Sequence, residues 1–387
     1  MFLPRRIHHT VLAAAVLSVL GLMQPALAFE TPAIHAYMVD TTTGTVLLNK
    51  KGDERMAPAS MSKLMTLYMV FERLKDGRLS LDDKFYVSEN AWRKGGAKTG
   101  GSTMFLEPSM RVRVEDLIRG IIVQSGNDAC IVVAEALSSS EEAFAQDMTE
   151  KAKELGMTGS TFKNATGWPD PEHRVTAHDL ARLAQLTIEH FPEYYHYYSE
   201  HSFIFNGIKQ SNRNPLIYKD MGADGLKTGH TQESGYGLTS SAERDGRRLI
   251  LVVNGLSSKK MRSSESERLL DWGFREFGNY ALFKAGDVVT DANVWLGQKA
   301  SVPLIIEQDL TLTLPKRARG KMTVKATFEG PVPAPIKKGQ RIGTLTISAP
   351  DVTPVEVPLL AADGVEQLGL VGRLGAALDF ILWGGTQ

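Results

Sequence analysis

Apolar and polar residues alternate along residues 34–50, "IHAYMVDTTTGTVLLNK", and the alternation breaks at Thr43-Gly44, which predicts a β-hairpin. The period then changes. In "MSKLMTLYMVFERLKDG" apolar side chains fall at 61, 64, 65, 68, 69 and 71 before Gly77, which predicts a buried helix. "VEDLIRGIIVQ" and "DACIVVAEALSSS" predict two more helices, joined across Ser125-Gly126-Asn127. "SSEEAFAQDMTEKAKELG" reads as a capped amphipathic helix ending at Gly156, and "TAHDLARLAQLTIEHF" as another with Thr176 as its N-cap.

Beyond residue 226 the pattern turns extended. "YGLTSSAERDGRRLILVVNG" predicts two strands around an Asp245-Gly246 turn, and "SESERLLDWGFREFG" a helix after them. Strand, helices, then strands and a helix define an α+β domain on an antiparallel sheet, placed at 29–280. "DVVTDANVWLG", "SVPLIIEQDLTLTLP", "KMTVKATFEG" and "RIGTLTISAP" are short alternating strands punctuated by Gly and Pro, a small all-β domain at 281–357. Residues 358–387 are expected to form a terminal amphipathic helix. At helical pitch Leu368, Leu370, Val371, Leu374, Leu378, Ile381 and Leu382 share one face, opposite Glu366, Arg373 and Asp379, while Phe380 and Trp383 stray from it. Such a face either docks on the protein's own core or lies in a membrane surface.

The first 28 residues read as a secretory signal peptide rather than part of the fold. Arg5 and Arg6 precede the short apolar run "VLAAAVLSVLGLM", and Ala26-Leu27-Ala28 has the small-x-small form of a cleavage site. The full chain balances 44 Lys and Arg against 44 Asp and Glu, so it lacks the excess of cations that a broad nucleic-acid-binding surface needs. One cysteine, Cys130, leaves no partner for an internal disulfide. Its apolar helical context predicts a buried packing thiol, not a nucleophile.

Three short motifs carry chemistry, and each occurs more than once. Ser-x-x-Lys appears at Ser60…Lys63, Ser160…Lys163 and Ser257…Lys260, but only Ser60 opens a strongly apolar helix. There Lys63 shares the serine's helix side, free backbone N–H groups are available to an oxyanion, and burial lowers the lysine pKa toward that of a usable base. Ser-x-Asn appears at Ser88-Glu89-Asn90 and at Ser125-Gly126-Asn127, and only the second is held between two apolar helices. Lys-Thr-Gly appears at 98–100 and 227–229. Glycines on both sides of Lys98 disfavour a strand, whereas Lys227 precedes two clear strands and fits a sheet edge.

In order and spacing, Ser60-Met61-Ser62-Lys63, Ser125-Gly126-Asn127 and Lys227-Thr228-Gly229 resemble the signatures of the penicillin-binding proteins. The chain is most similar to their exported low-molecular-mass members, the D-alanyl-D-alanine carboxypeptidases of the penicillin-binding protein 5 group. "APASMSKLMT", "LIRGIIVQSGNDAC" and "GLKTGHT" carry the likeness, which extends over nearly the whole chain. The resemblance implies a transpeptidase/β-lactamase-like fold and a serine peptidase without metal or cofactor. Ser60 would be the acylated nucleophile, Lys63 its base and Ser125 a proton relay. Asn127 would hold the donor peptide, Lys227 would supply charge beside Ser125, and Thr228 with Arg262 of "MRSSESERLLDWGF" would grip the terminal carboxylate. The backbone N–H groups of Ser60 and His230 would form the oxyanion hole, with the His230 ring uninvolved. The implied partners are peptidoglycan stem peptides, β-lactams and, through the terminal helix, the outer face of the inner membrane, in a periplasmic enzyme.

Rival readings differ in specific residues. A class A-like β-lactamase usually shows Ser-Asp-Asn and a deacylating Glu, whereas here the middle residue is Gly126 and "NATGWPDPEHRVTAHDL" offers only Glu172. A DD-endopeptidase shares every motif. A zinc peptidase needs clustered ligands, and His173 with His178 lacks the His-Glu-x-x-His spacing. A non-enzymatic scaffold would not need three intact motifs.

Overall fold

The computed structural model describes residues 30–375. The expected signal peptide, and Leu378, Asp379, Phe380, Ile381, Leu382 and Trp383 of the expected terminal helix, lie outside them.

The N-terminal hairpin forms as strands His35–Asp40 and Val46–Lys50, with Gly44 at φ +68° in its turn. It joins an antiparallel sheet of five strands in the order Val46–Lys50, His35–Asp40, Arg247–Leu256, Gly235–Arg244, Ala223–Thr231. The turn between the longest two strands is Asp245 at φ 52° and Gly246 at φ 74°, the left-handed pair that a two-residue hairpin requires. The second Lys-Thr-Gly copy therefore lies on an edge strand, paired on one side only.

Both faces of the sheet are covered, so Leu249, Ile250, Leu251, Val252 and Val253 form a continuous run of fully buried residues. Alternation along the first strand assigns the covers. Tyr37 stacks on His178 of helix Ala177–His190, with ring centroids 4.9 Å apart. Met38 points the other way, toward helix Lys259–Glu276, where a Cβ on Gly273 would lie 2.6 Å from its sulfur. Glycine at 273 is what lets that helix sit so close.

Helix Lys63–Lys75 runs through the centre, with ten of its 13 residues buried and Phe71 ringed by Phe191, Tyr194 and Tyr198. Ser140 and Thr176 cap their helices as expected, accepting from the backbone N–H of Ala143 and Asp179. The pair expected around Ser125 has an added feature: helix Val114–Arg119 continues as a wide π-turn at Gly120–Gln124 before helix Asn127–Ser138 begins.

Two expectations change. The domain junction comes earlier than 281, because helix Lys259–Glu276 passes directly into strand Phe277–Phe283. The β region also runs past 358. Residues 352–361 keep a two-residue alternation that pairs with Arg341–Ala349, and bridges at Val365 and Gln367 extend the structure before a helix starts at Leu370. Leu370, Val371 and Leu374 are exposed, 66% or more each. Among the glycines around Lys98, Gly95 serves close packing. Ser88 caps helix Glu89–Gly95, and a Cβ on Gly95 would strike the Asp128 backbone N at 2.3 Å.

The β domain has its own core, including Ala292, Val302, Leu304, Leu345 and Leu359, under a six-stranded sheet. A polar chain fastens it to the catalytic sheet. Buried Asp40 pairs with Arg247 at 2.6 Å and accepts from Asn279 Nδ2 at 3.2 Å, and Thr313 donates to Asn279 Oδ1 at 2.9 Å.

Candidate active site

Ser60 stands at the start of the central helix, in a tight turn at Ala59–Ser62. Ala59 is held at φ 48°, a left-handed conformation costly for a residue with a Cβ. The sheet presses on the turn through two paired glycines. A Cβ on Gly229 would lie 2.8 Å from Pro58 O and 3.0 Å from Met61 Cγ, and one on Gly237, its partner across the strands, 2.7 Å from Met61 Cε. The third residue of Lys-Thr-Gly is thus a steric necessity: only glycine lets the edge strand lie against the nucleophile turn.

Lys63 is fully buried one helical turn on. Its Nζ lies 3.0 Å from Ser60 Oγ and 2.8 Å from Asn127 Oδ1, and it also donates to Thr166 O. Burial pulls its pKa down to about 8. Thr166 O is delivered by a turn that the motif reading missed. Asn164 Oδ1 accepts from the backbone N–H of Thr166, Gly167 and Trp168 at 3.2, 2.7 and 3.1 Å. Gly167 is at φ +81°, and a Cβ there would overlap Ala59 O at 1.9 Å.

Ser125 follows the π-turn in a left-handed conformation, φ 64°, and accepts from Lys227 Nζ at 2.9 Å. Lys227 is also fully buried, and desolvation, then the charges of Lys63 and Arg213, drives its pKa well below the ordinary lysine value. Asp128, beside Asn127, fixes the wall of the site. Its carboxylate accepts from Thr103 Oγ1 at 2.6 Å and from the backbone N–H of Met104 and Leu106 at 3.0 and 3.1 Å.

These groups meet in a cleft of about 710 Å³ lined by Ser60, Ser125, Asn127, Thr228, His230 and Arg262, with Lys63 and Lys227 beneath its floor. All eight expected residues therefore converge. Arg262 is 7% exposed, with its guanidinium 5.9 Å from the Tyr236 ring centroid and its Nε without a hydrogen-bond partner. Burial lowers its pKa to about 10, which leaves it charged at neutral pH. Arg213 also lines the cleft and donates to Ser102 Oγ. It sits between two buried asparagines, Asn212 bonded to Tyr198 O and Glu200 O, and Asn214 bonded to Gly225 O. The repeat "NRN" was its only sequence signal. The His230 ring stacks on Tyr236 at 3.8 Å and makes no hydrogen bond to Ser60.

The unused copies of the motifs have structural roles or lie apart. Ser160 donates to Asp179, Lys163 pairs on the surface with Glu172, and Glu172 is not part of the cleft. Lys98 lies exposed over Trp92, 5.0 Å from its ring centroid. Its neighbours Gly100, Gly101 and Ser102 do form cleft rim. Cys130 is buried, its thiol pushed up to about 12, and it serves packing.

A serine on a helix start, a buried lysine within reach, and a second serine, held in an interhelical loop and bonded by a lysine from a sheet edge, define a serine acyl-transfer enzyme of the Ser-x-x-Lys class. The family profile described as D-alanyl-D-alanine carboxypeptidase matches residues 23–258, and that of the penicillin-binding protein 5 C-terminal domain matches 277–367. The chain belongs to the D-alanyl-D-alanine carboxypeptidase family. It is 38% identical over 359 residues to D-alanyl-D-alanine carboxypeptidase DacC of Escherichia coli, covering 91% of this chain and 89% of that one. It is 35% identical over 346 residues to DacF of Bacillus subtilis, covering 88% and 87%. Among solved structures, penicillin binding protein 5 of Haemophilus influenzae superposes with a TM-score of 0.75 at 35% identity, over 87% of this chain and 98% of that one. DacD of Francisella tularensis gives 0.79 at 33% identity, over 89% and 96%.

Proposed function

We propose that the chain removes the terminal D-alanine from peptidoglycan stem peptides through an acyl-enzyme on Ser60, and that penicillins acylate the same serine. One observation carries this reading. A neutral lysine amine has two N–H donors and one lone pair. Two neighbours of Lys63 Nζ are acceptors, Asn127 Oδ1 and Thr166 O, and the third is the Ser60 hydroxyl. With both N–H bonds spent on the acceptors, the lone pair faces Ser60 and takes its proton.

The steps follow from position. Ser60 Oγ attacks the carbonyl carbon of the penultimate residue, and Lys63 accepts the proton. The backbone N–H groups of Ser60 and His230 receive the oxyanion. The Ser125 hydroxyl, held by Lys227 Nζ, relays the proton taken up by Lys63 to the leaving D-alanine amine, so Lys63 returns to its neutral form. Asn127 holds the donor peptide, and Thr228 and Arg262 hold the terminal carboxylate, which gives the unpaired Arg262 Nε a partner. Water then breaks the ester and frees Ser60. A β-lactamase reading is disfavoured, since Glu172 does not line the cleft. Endopeptidase action on cross-linked stems uses the same groups and differs only in the leaving group beyond the scissile bond.

We further propose that the enzyme works in the periplasm, exported by a signal peptide ending at Ala28 and held at the outer face of the inner membrane by its C-terminal helix. Exposed Leu370, Val371 and Leu374 support that attachment. Intact mass after penicillin exposure, with mapping of the modified peptide, tests the chemistry: a stable adduct on Ser60 is expected, and none on Ser60→Ala. Adduct on the variant, or rapid turnover of penicillin, would refute it. Fractionation of chains ending at 363 and at 387 tests the anchor, which fails if both partition alike.

A further inference from the structure

Ten lysines and arginines lie between residues 277 and 367, and five of them fall in ten consecutive positions, "KRARGKMTVK", that contain no acid. The remaining five cations of this stretch are interspersed with nine acids. The first six residues form a short 3-10 turn segment, Lys316–Lys321, anchored by buried Ala318. Three of its cations are positioned by neighbours. Lys316 Nζ donates to Phe274 O at 3.2 Å, which ties the turn to the catalytic domain's last helix. The Arg319 guanidinium lies 4.6 Å from the Tyr280 ring centroid. Arg317 meets Asp351 at 3.2 Å, a pair exposed on both sides and worth little. Lys321 and Lys325 are exposed, with no ion-pair partner among the described residues.

The turn leads into Thr323–Phe328, the outermost strand of the six-stranded sheet. A lysine on an open edge strand discourages edge-to-edge aggregation, and that accounts for Lys325. It does not account for the four cations of the turn, which is not a strand. A surface built only for solubility would mix signs, as the rest of this region does.

We propose that residues 316–325 form a docking surface for the carboxylate-bearing peptidoglycan polymer, separate from the catalytic cleft; this rests on the carboxypeptidase reading. The polymer carries a terminal carboxylate on stem after stem, and a row of cations meets such an array at several points. Held there, further stems are presented to Ser60 at raised effective concentration. A lipid surface fits less well, because Ala318 is buried and Val324 is the one large apolar side chain exposed in this segment.

The experiment is co-sedimentation of the full chain, acylated by penicillin so that its cleft is filled, with protein-free insoluble peptidoglycan at low salt. Wild type is expected to sediment and to be released by salt. Lys321→Ala/Lys325→Ala should bind roughly 25-fold more weakly, about fivefold per lysine, and Lys321→Glu/Lys325→Glu should lose more. Both should hydrolyse a short soluble pentapeptide at the wild-type kcat/KM, which also reports folding. Sedimentation of the Glu variant equal to wild type overturns the proposal. So does a loss confined to anionic phospholipid vesicles. Failure of penicillin to acylate Ser60 would instead strike the carboxypeptidase reading, and untreated chain would still report on the surface.

Discussion

The pH at which Ser60 becomes acylable follows from the burial of Lys63. The free amine, not the ammonium, takes the proton, and desolvation lowers the lysine pKa from 10.5 to about 8. At pH 7 about one molecule in ten then carries the neutral base, against about one in 3,000 for an ordinary lysine, a gain equivalent to about 3 kcal/mol. The second-order rate constant for acylation by a fluorescent penicillin should therefore rise about tenfold from pH 6 to 7 and level off above about 8. A profile flat across this range, or a midpoint near that of a free lysine, would refute the base assignment. The same shift has a stability signature. The folded-state pKa lies below the unfolded one, so the lysine's contribution is fully present above about 10.5 and is lost as pH falls through about 8. Chemical denaturation should show wild type gaining on Lys63→Met as pH is raised between those values.

Other predictions follow from single contacts. Asp128→Ala strands the Thr103 hydroxyl and the backbone N–H groups of Met104, Leu106 and Ala129 in the interior, and should cost about 3–5 kcal/mol in denaturant unfolding; a loss under about 1 kcal/mol would show the network to be dispensable. Gly229→Ala forces a methyl to 2.8 Å from Pro58 O. It should destabilise by about 1–3 kcal/mol and slow acylation, because the edge strand must move off the nucleophile turn. Lys98→Ala should leave penicillin acylation nearly intact while Lys227→Ala cripples it. The reverse result would exchange the two Lys-Thr-Gly assignments.

Those two copies show what the linear pattern carries. Lys227 was identifiable because the alternation after it marks strands, and a strand edge is where this chemistry needs a lysine. Ser60 was identifiable because an apolar helix follows it directly. Periodicity reports such local settings well. It reported poorly on groups whose role depends on distant partners. Asp128 matters through Thr103 and Met104, and Asn164 through a turn that aims one carbonyl at Lys63; neither has a periodic signal. The packing role of Gly95 was invisible because its neighbour, the Asp128 backbone, is more than 30 positions away. The end of the β region was misplaced for a related reason. Leu359, Ala361 and Val365 suit either period, and only pairing with other strands decides between them.

The wedge of Gly229 and Gly237 against Met61 has a consequence for biosynthesis. Nucleophile and base emerge early in the chain, but the strand that braces their turn lies more than 160 residues later. A nascent or truncated chain carries Ser60 and Lys63 without the edge that holds Ala59 in its left-handed turn or the lysine that polarises Ser125. Such a chain is chemically inert, and reactivity arrives only with closure of the whole sheet. Covalent labelling by penicillin is thus a census of completed molecules, and its onset in a refolding reaction times the last long-range docking rather than the collapse of the helical core.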